Sequence, residues 1–231
     1  MTSTHWATPP ALLELAPGCV DVWQAELTAH LPAGAELLSA EEAARAARFM
    51  RARDGARWSR ARAILRRLLG AYLRADPRSL RLEIAGHGKP VLADAPIDVR
   101  FNLSHSGEIA LYAFALEIEV GVDLERARAS LDTVRAARRM IDAREADRLA
   151  ALDPAERSAA FLKAWVRHEA AVKCLGTGIG GERVAAQAGS AALWVRELEV
   201  GGGAEAAVAA AAEPRELRCW LFGPGSGGAG S

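Results

Sequence analysis

The segment Gly121-Val122-Asp123-Leu124-Glu125 sets two carboxylates two residues apart in a run that alternates like a β-strand. On a strand, side chains at i and i+2 share a face, so Asp123 and Glu125 point one way while Val122 and Leu124 point into a core. Two carboxylates held side by side repel unless positive charge sits between them. A hard divalent cation with oxygen ligands is the usual answer, and magnesium needs few protein carboxylates where phosphates supply the other ligands. The alternative is a strand edge carrying two solvated acids, and the triplet alone does not decide.

Three further segments carry chemistry. In Trp165-Val166-Arg167-His168-Glu169-Ala170-Ala171-Val172-Lys173, Glu169 and Lys173 stand four apart on one helix face. Alone they are an ordinary surface ion pair. Phe161, Trp165 and Val172 make this helix largely buried, however, so Glu169 could add a third carboxylate to a metal site and Lys173 could balance phosphate charge. In Phe101-Asn102-Leu103-Ser104-His105-Ser106-Gly107, a strand runs into hydroxyls, an imidazole and a glycine. Such an end holds anions through hydroxyls, open backbone N–H groups and the imidazole, or is simply a hydrogen-bonded turn. Gly88-Lys89-Pro90 puts a lysine on a stiff loop, and Arg45, Arg48 and Arg57 lie on early helices. These cations suit phosphate, since guanidinium binds it bidentately, or are a solvated face. Ser104 and His105 have no partnered acid, and no Gly-x-Ser-x-Gly elbow occurs, so a hydrolase triad is not indicated.

The elements that must position these residues follow from periodicity. Cys19 to Leu27 alternates as a first strand. Ser39 and Glu42 form a capping-box signature that opens a helix. Asp54-Gly55 predicts a break, followed by a second helix from about Arg57 to Arg74 with Ile64, Leu65, Leu68, Leu69 and Tyr72 on one face. Short strands are expected at Leu80–Ile84, Val99–Leu103, Ile109–Leu116 and Val120–Glu125. Three helices follow: one over Leu131–Ile141, one capped by Asp142, and one opened by Asp153-Pro154 that runs to about Leu175. Ala191–Val200 and Leu217–Phe222 close the pattern as strands. Gly201-Gly202-Gly203 and the alanine run between them resemble a loose hairpin or loop. The order strand, helices, strands occurs twice, giving an α+β class with two similar halves. The halves are placed at residues 1–116 and 117–222, with the metal site in the second and a flexible glycine-rich tail at 223–231.

The bulk numbers agree with an ordinary folded chain. It has 231 residues, 51% of them hydrophobic, which is ample for a core. Twenty-nine basic and 29 acidic residues cancel, so net charge points to no partner. Three scattered cysteines give neither a disulfide framework nor zinc spacing, and a reducing cytoplasm is expected. Neither a secretory signal nor a run of about 20 apolar residues occurs, so no membrane is expected.

Taken in order, Gly88-Lys89-Pro90, Phe101 to Gly107, Gly121 to Glu125 and Trp165-x-x-His168-Glu169-x-x-x-Lys173 resemble the 4'-phosphopantetheinyl transferase family, in its long type that activates peptide synthetases and polyketide synthases. The likeness extends upstream to Asp21-Val22-Trp23, Leu38-Ser39, Arg48-Phe49, Asp54 and Arg57, and covers residues 20–180. It implies a pseudo-twofold fold of two similar α+β halves with coenzyme A in the cleft between them. By resemblance, Asp123, Glu125 and Glu169 coordinate magnesium, with manganese as an alternative, together with the coenzyme A diphosphate. Lys173 contacts the phosphates near the leaving group, while Lys89, Ser104 and His105 line the nucleotide end. His105, Arg45 and Arg57 belong near the 3'-phosphate. The partner is an apo acyl or peptidyl carrier protein, and such long members are usually monomers. One position departs from the pattern: His168 stands where the family commonly has lysine, so a fixed positive charge is lost.

Two rivals remain at the level of sequence. A metal-dependent nuclease or phosphohydrolase also uses paired acids on a strand, but such sites want a lysine two residues after the second acid, and Glu125 is followed by Arg126-Ala127. A nucleic-acid-binding protein could use the arginine-rich stretch from Arg45 to Arg74, but the chain is neutral and few aromatics interleave those arginines.

Overall fold

A computed structural model describes residues 3–28, 34–85, 88–127, 131–176 and 193–223. Most of the glycine-rich tail lies outside them. Strand β1 (Cys19–Glu26) is followed by α1 (Ala40–Ala47), α2 (Ala52–Leu73), the short hairpin β2 (Leu82–Ile84) and β3 (Pro90–Leu92), then β4 (Val99–Ser106) and β5 (Ile109–Leu116). The second half runs β6 (Val120–Arg126), α3 (Thr133–Met140), α4 (Ala143–Ala150), α5 (Pro154–Leu175), β7 (Trp194–Leu198), β8 (Ala204–Ala210) and β9 (Glu216–Leu221).

Helix starts obey local chemistry. The Ser39 hydroxyl accepts from the Glu42 amide while the Glu42 carboxylate accepts from the Ser39 amide, which satisfies two orphan donors of α1. Asp142 and Asp153 cap α4 and α5 through side-chain oxygens, and Pro154 fills the first turn of α5.

The break expected at Asp54-Gly55 does not occur: α2 starts at Ala52 and passes through Gly55. A Cβ at Gly55 would stand 2.6 Å from the carbonyl oxygen of Ala46, so the glycine lets α1 cross α2 closely and is not a stop signal.

Each half is a 22-residue helix laid on a sheet. The first sheet has the order β4-β5-β1-β9 and the second β6-β8-β7. Leu65, Leu68 and Leu69 of α2 are fully buried against Trp23, Tyr112 and Phe114, each leucine contributing about 2 kcal/mol by leaving water. The other face of that sheet, carrying Val20, Val22, Leu111 and Ala113, packs on Val122, Leu124 and Val208 of the second sheet. Helix α5 covers the outer face of the second sheet, where Val166, Ala170 and Cys174 meet Ala207 and Ala209. The layers are therefore helix, sheet, sheet, helix, as the expected two α+β halves require.

Two strands differ from the sequence expectation. The alanine run read as a loose hairpin or loop is β8, the middle strand of the second sheet, paired on both sides. Alanine is a weak strand former, but its small side chain lets α5 sit close on this sheet. The last strand, grouped by sequence with residues 117–222, does not join the second sheet. β9 runs parallel to β1 at the edge of the first, with Val22 opposite Cys219. Arg218 on β9 pairs with buried Asp21 on β1, whose other oxygen accepts from the Tyr72 hydroxyl at 2.6 Å. Burial raises the Asp21 carboxyl above its ordinary value although Arg218 and Tyr72 oppose this. Trp23 completes the network, its indole N–H donating to the Tyr72 oxygen at 2.8 Å.

Candidate active site

Strands β4 and β6 belong to different sheets, yet their side chains stitch the halves together. The even-numbered residues of β4 face β6. Asn102 Oδ1 accepts from the Val122 amide at 3.0 Å, Ser104 Oγ donates to Asp123 Oδ1 at 2.9 Å, and Ser106 Oγ donates to Glu125 Oε2 at 3.1 Å. Period-two alternation on both strands produces this ladder. Each of the two acids foreseen on one face is thus oriented by a serine of the other half.

Helix α5 closes the site from the second half. Lys173 Nζ donates to Asp123 Oδ1 at 2.6 Å, to Ser104 Oγ at 3.1 Å and to the Val122 carbonyl at 3.3 Å. Glu169, one turn earlier, is 8% exposed, and Asp123 is 4% exposed. Burial raises the Glu169 carboxyl above its ordinary value, the negative charges of Asp123 and Glu125 raise it further, and Lys173 opposes them. Glu169 therefore feels both strand acids. Among the described residues, though, no three acidic, histidine or cysteine side chains draw close enough to hold a metal ion as they stand. The Lys173 ammonium is lodged against Asp123.

The donor set still suits a hard divalent ion. Asp123, Glu125 and Glu169 offer only oxygen. Asp123 Oδ2 is buried with no hydrogen-bond partner, an acceptor of the kind that a bound cation satisfies.

His105 stands at the rim, open to solvent on one side and crowded on the other. Desolvation lowers its imidazole below the ordinary value, as do the charges of Lys173 and Arg57, while Glu125 opposes. Arg57 thus belongs to the same neighbourhood, held by Glu108 at 3.1 Å and near Asp54 at 3.7 Å. Lys89 reaches the site from its far side, paired with Glu119 at 2.8 Å and 3.4 Å from the Lys173 carbonyl. It lines a cleft of about 690 Å³ with Arg100, Glu119 and Leu175. Arg45 sits against Trp58. Its guanidinium lies 5.4 Å from the Trp58 ring centre, as Arg62 does at 5.3 Å, on a surface shared with Arg48, Phe49 and Met50. His168, at the position that departs from the family pattern, stacks on Trp165 with ring centres 6.0 Å apart. Burial lowers its imidazole as well, so it supplies no fixed charge.

Sequence reasoning placed Asn102 and Ser106 in an anion-binding segment but did not foresee their bonds to Val122 and Glu125. The signal was present, since Asn102, Ser104 and Ser106 are spaced by two on one strand, but nothing in the sequence says that β6 lies opposite them.

Comparison with known proteins is consistent with this geometry. Residues 22–116 match the family described as 4'-phosphopantetheinyl transferase, N-terminal, and residues 119–217 match the 4'-phosphopantetheinyl transferase superfamily. The chain is 35% identical over 184 residues to the 4'-phosphopantetheinyl transferase HetI of Nostoc sp., covering 78% of each protein. It is 34% identical over 152 residues to slr0495 of Synechocystis sp., covering 65% of this chain and 62% of that one. Identity to the mouse L-aminoadipate-semialdehyde dehydrogenase-phosphopantetheinyl transferase is 28% over 176 residues, or 69% of this chain and 57% of the mouse protein.

Proposed function

The chain belongs to the 4'-phosphopantetheinyl transferase superfamily, and on that premise we propose that it moves the phosphopantetheine arm of coenzyme A onto a serine of an apo acyl or peptidyl carrier protein, releasing 3',5'-ADP. What supports this reading is that Lys173 of α5 and Ser104 of the other half both bond Asp123, while Glu169 feels the charges of Asp123 and Glu125 and His105 those of Lys173 and Glu125. Three carboxylates and an ammonium at a seam between halves form a site for a charged diphosphate.

In the reaction, the serine oxygen bonds to the β-phosphorus of coenzyme A and the bond to the bridging oxygen breaks, its electron pair leaving with 3',5'-ADP. Glu169 takes the serine proton. Lys173 turns toward the phosphates to offset charge that builds on the leaving group. Asp123, Glu125 and Glu169 would hold magnesium or manganese, which when bound neutralises diphosphate charge. Ser104 and His105 line the nucleotide end with Lys89, and Arg57 and Arg45 attend the 3'-phosphate. We place the enzyme in the cytoplasm as a monomer serving peptide or polyketide synthetases.

The test is direct. The protein is mixed with coenzyme A, magnesium and an apo carrier protein, and the carrier is weighed by mass spectrometry. A gain of one phosphopantetheine on a single serine supports the reading. No gain on any of a panel of acyl and peptidyl carriers rejects it.

A further inference from the structure

A lysine ammonium carries three donors and no acceptor. Lys173 directs all three into the protein, to Asp123 Oδ1, Ser104 Oγ and the Val122 carbonyl. Ser104 gives its own proton to the same Asp123 oxygen. The triangle is closed on itself, so in this arrangement Lys173 has no proton left for a phosphate. Asp123, meanwhile, is almost wholly buried. A buried carboxylate is costly without a positive partner, and Lys173 provides one.

Resting on the functional reading above, we propose that Lys173 is the resident counter-cation of Asp123. It holds that carboxylate aligned before loading, and it gives way to the divalent ion when coenzyme A arrives and offers the ammonium a diphosphate. Lys173 thereby has a positioning role that precedes its phosphate contact. The exchange has a thermodynamic signature. A metal ion taking the open Asp123 Oδ2 alone sets a second cation against the ammonium on Oδ1, with no anion waiting to draw the ammonium away. An ion binding with coenzyme A gives the ammonium a new partner. Ion and coenzyme A therefore strengthen one another, and reciprocity requires the same factor in both directions.

The experiment measures Mn²⁺ binding to the full chain by electron paramagnetic resonance, for wild type and Lys173→Met, with and without saturating coenzyme A. Wild type is expected to bind Mn²⁺ at least tenfold more tightly when coenzyme A is present. Lys173→Met is expected to bind Mn²⁺ alone at least tenfold more tightly than wild type, with most of the coupling gone. Equal or weaker Mn²⁺ binding by the variant overturns the exchange while leaving the transferase reading intact. If wild type fails to bind Mn²⁺ even with coenzyme A, the metal assignment falls and the exchange falls with it. Wild type also gives a readout that does not depend on the variant folding. The hydrogen-bonded Lys173 ammonium should give a ¹⁵N–¹H signal that moves when Mg²⁺ and coenzyme A are added together. A signal unmoved by both overturns the exchange.

Discussion

A methyl group on Gly121 would drive into the carbonyl oxygen of Ala170, and into the amide nitrogen of Cys174 beside it. Strand β6 and helix α5 therefore touch backbone to backbone two residues before Asp123. This approach is what lets Glu169 and Lys173 reach Asp123. Gly121→Ala meets backbone atoms that no side chain can yield to. It is expected to lower stability by about 3 kcal/mol, at the upper end of overpacking costs, as read by urea denaturation with an unchanged slope. A loss below about 1 kcal/mol would show that the helix shifts freely and that this contact does not set the site.

Ser106→Ala removes the hydroxyl that orients Glu125. Groups that orient metal ligands typically change metal affinity by about 10–100-fold. The half-saturating Mg²⁺ concentration should rise about tenfold while the KM for coenzyme A stays unchanged, and Ser106→Thr should restore most of the loss. An effect on coenzyme A alone would place Ser106 with the nucleotide instead.

Glu169→Gln keeps shape and removes the proposed base. Turnover is expected to fall about 10³-fold. Coenzyme A should still bind, as measured by calorimetry. Turnover within twofold of wild type would reject the proton-accepting role.

The pH dependence of coenzyme A binding tests His105. Burial, Lys173 and Arg57 hold its imidazole below the ordinary value of 6.5, so the protein without substrate keeps it neutral near pH 7. A bound phosphate favours the imidazolium and raises that value again. Binding then takes up a proton, and affinity rises as pH falls from 8 toward 6. Calorimetry in buffers of different ionisation enthalpy counts the proton. His105→Gln should lose the uptake, whereas an unchanged uptake would move the titrating group elsewhere.

Much of this molecule is written locally. The caps at Ser39, Asp142 and Asp153 use side chains within three residues of the amides they satisfy, and all three hold. The alternation of β6 correctly pairs Asp123 with Glu125 on one side. What was not legible depends on distant partners. Gly55 resembles a helix stop until Ala46 is placed above it. The alanines of β8 lack strand character until β6 and β7 flank them. Lys173 looked like a free phosphate ligand because nothing within a helical turn reveals that Ser104 and Val122, 69 and 51 residues away, take its protons. The ordered set of motifs indicated the family, but the hydrogen bonds between those motifs belong to the fold.

The parallel pairing of β9 with β1 joins residues Glu216–Leu221 to Cys19–Gln24. A ribosome synthesising this chain delivers β1 long before its edge partner, since Asp21 and Arg218 stand 197 residues apart. Until then the first sheet presents an open apolar margin, and Asp21 waits for Arg218. The halves cannot mature one after the other as independent domains often do. A product lacking β9 would carry every candidate residue of the site and still leave that margin open to chaperones and proteases.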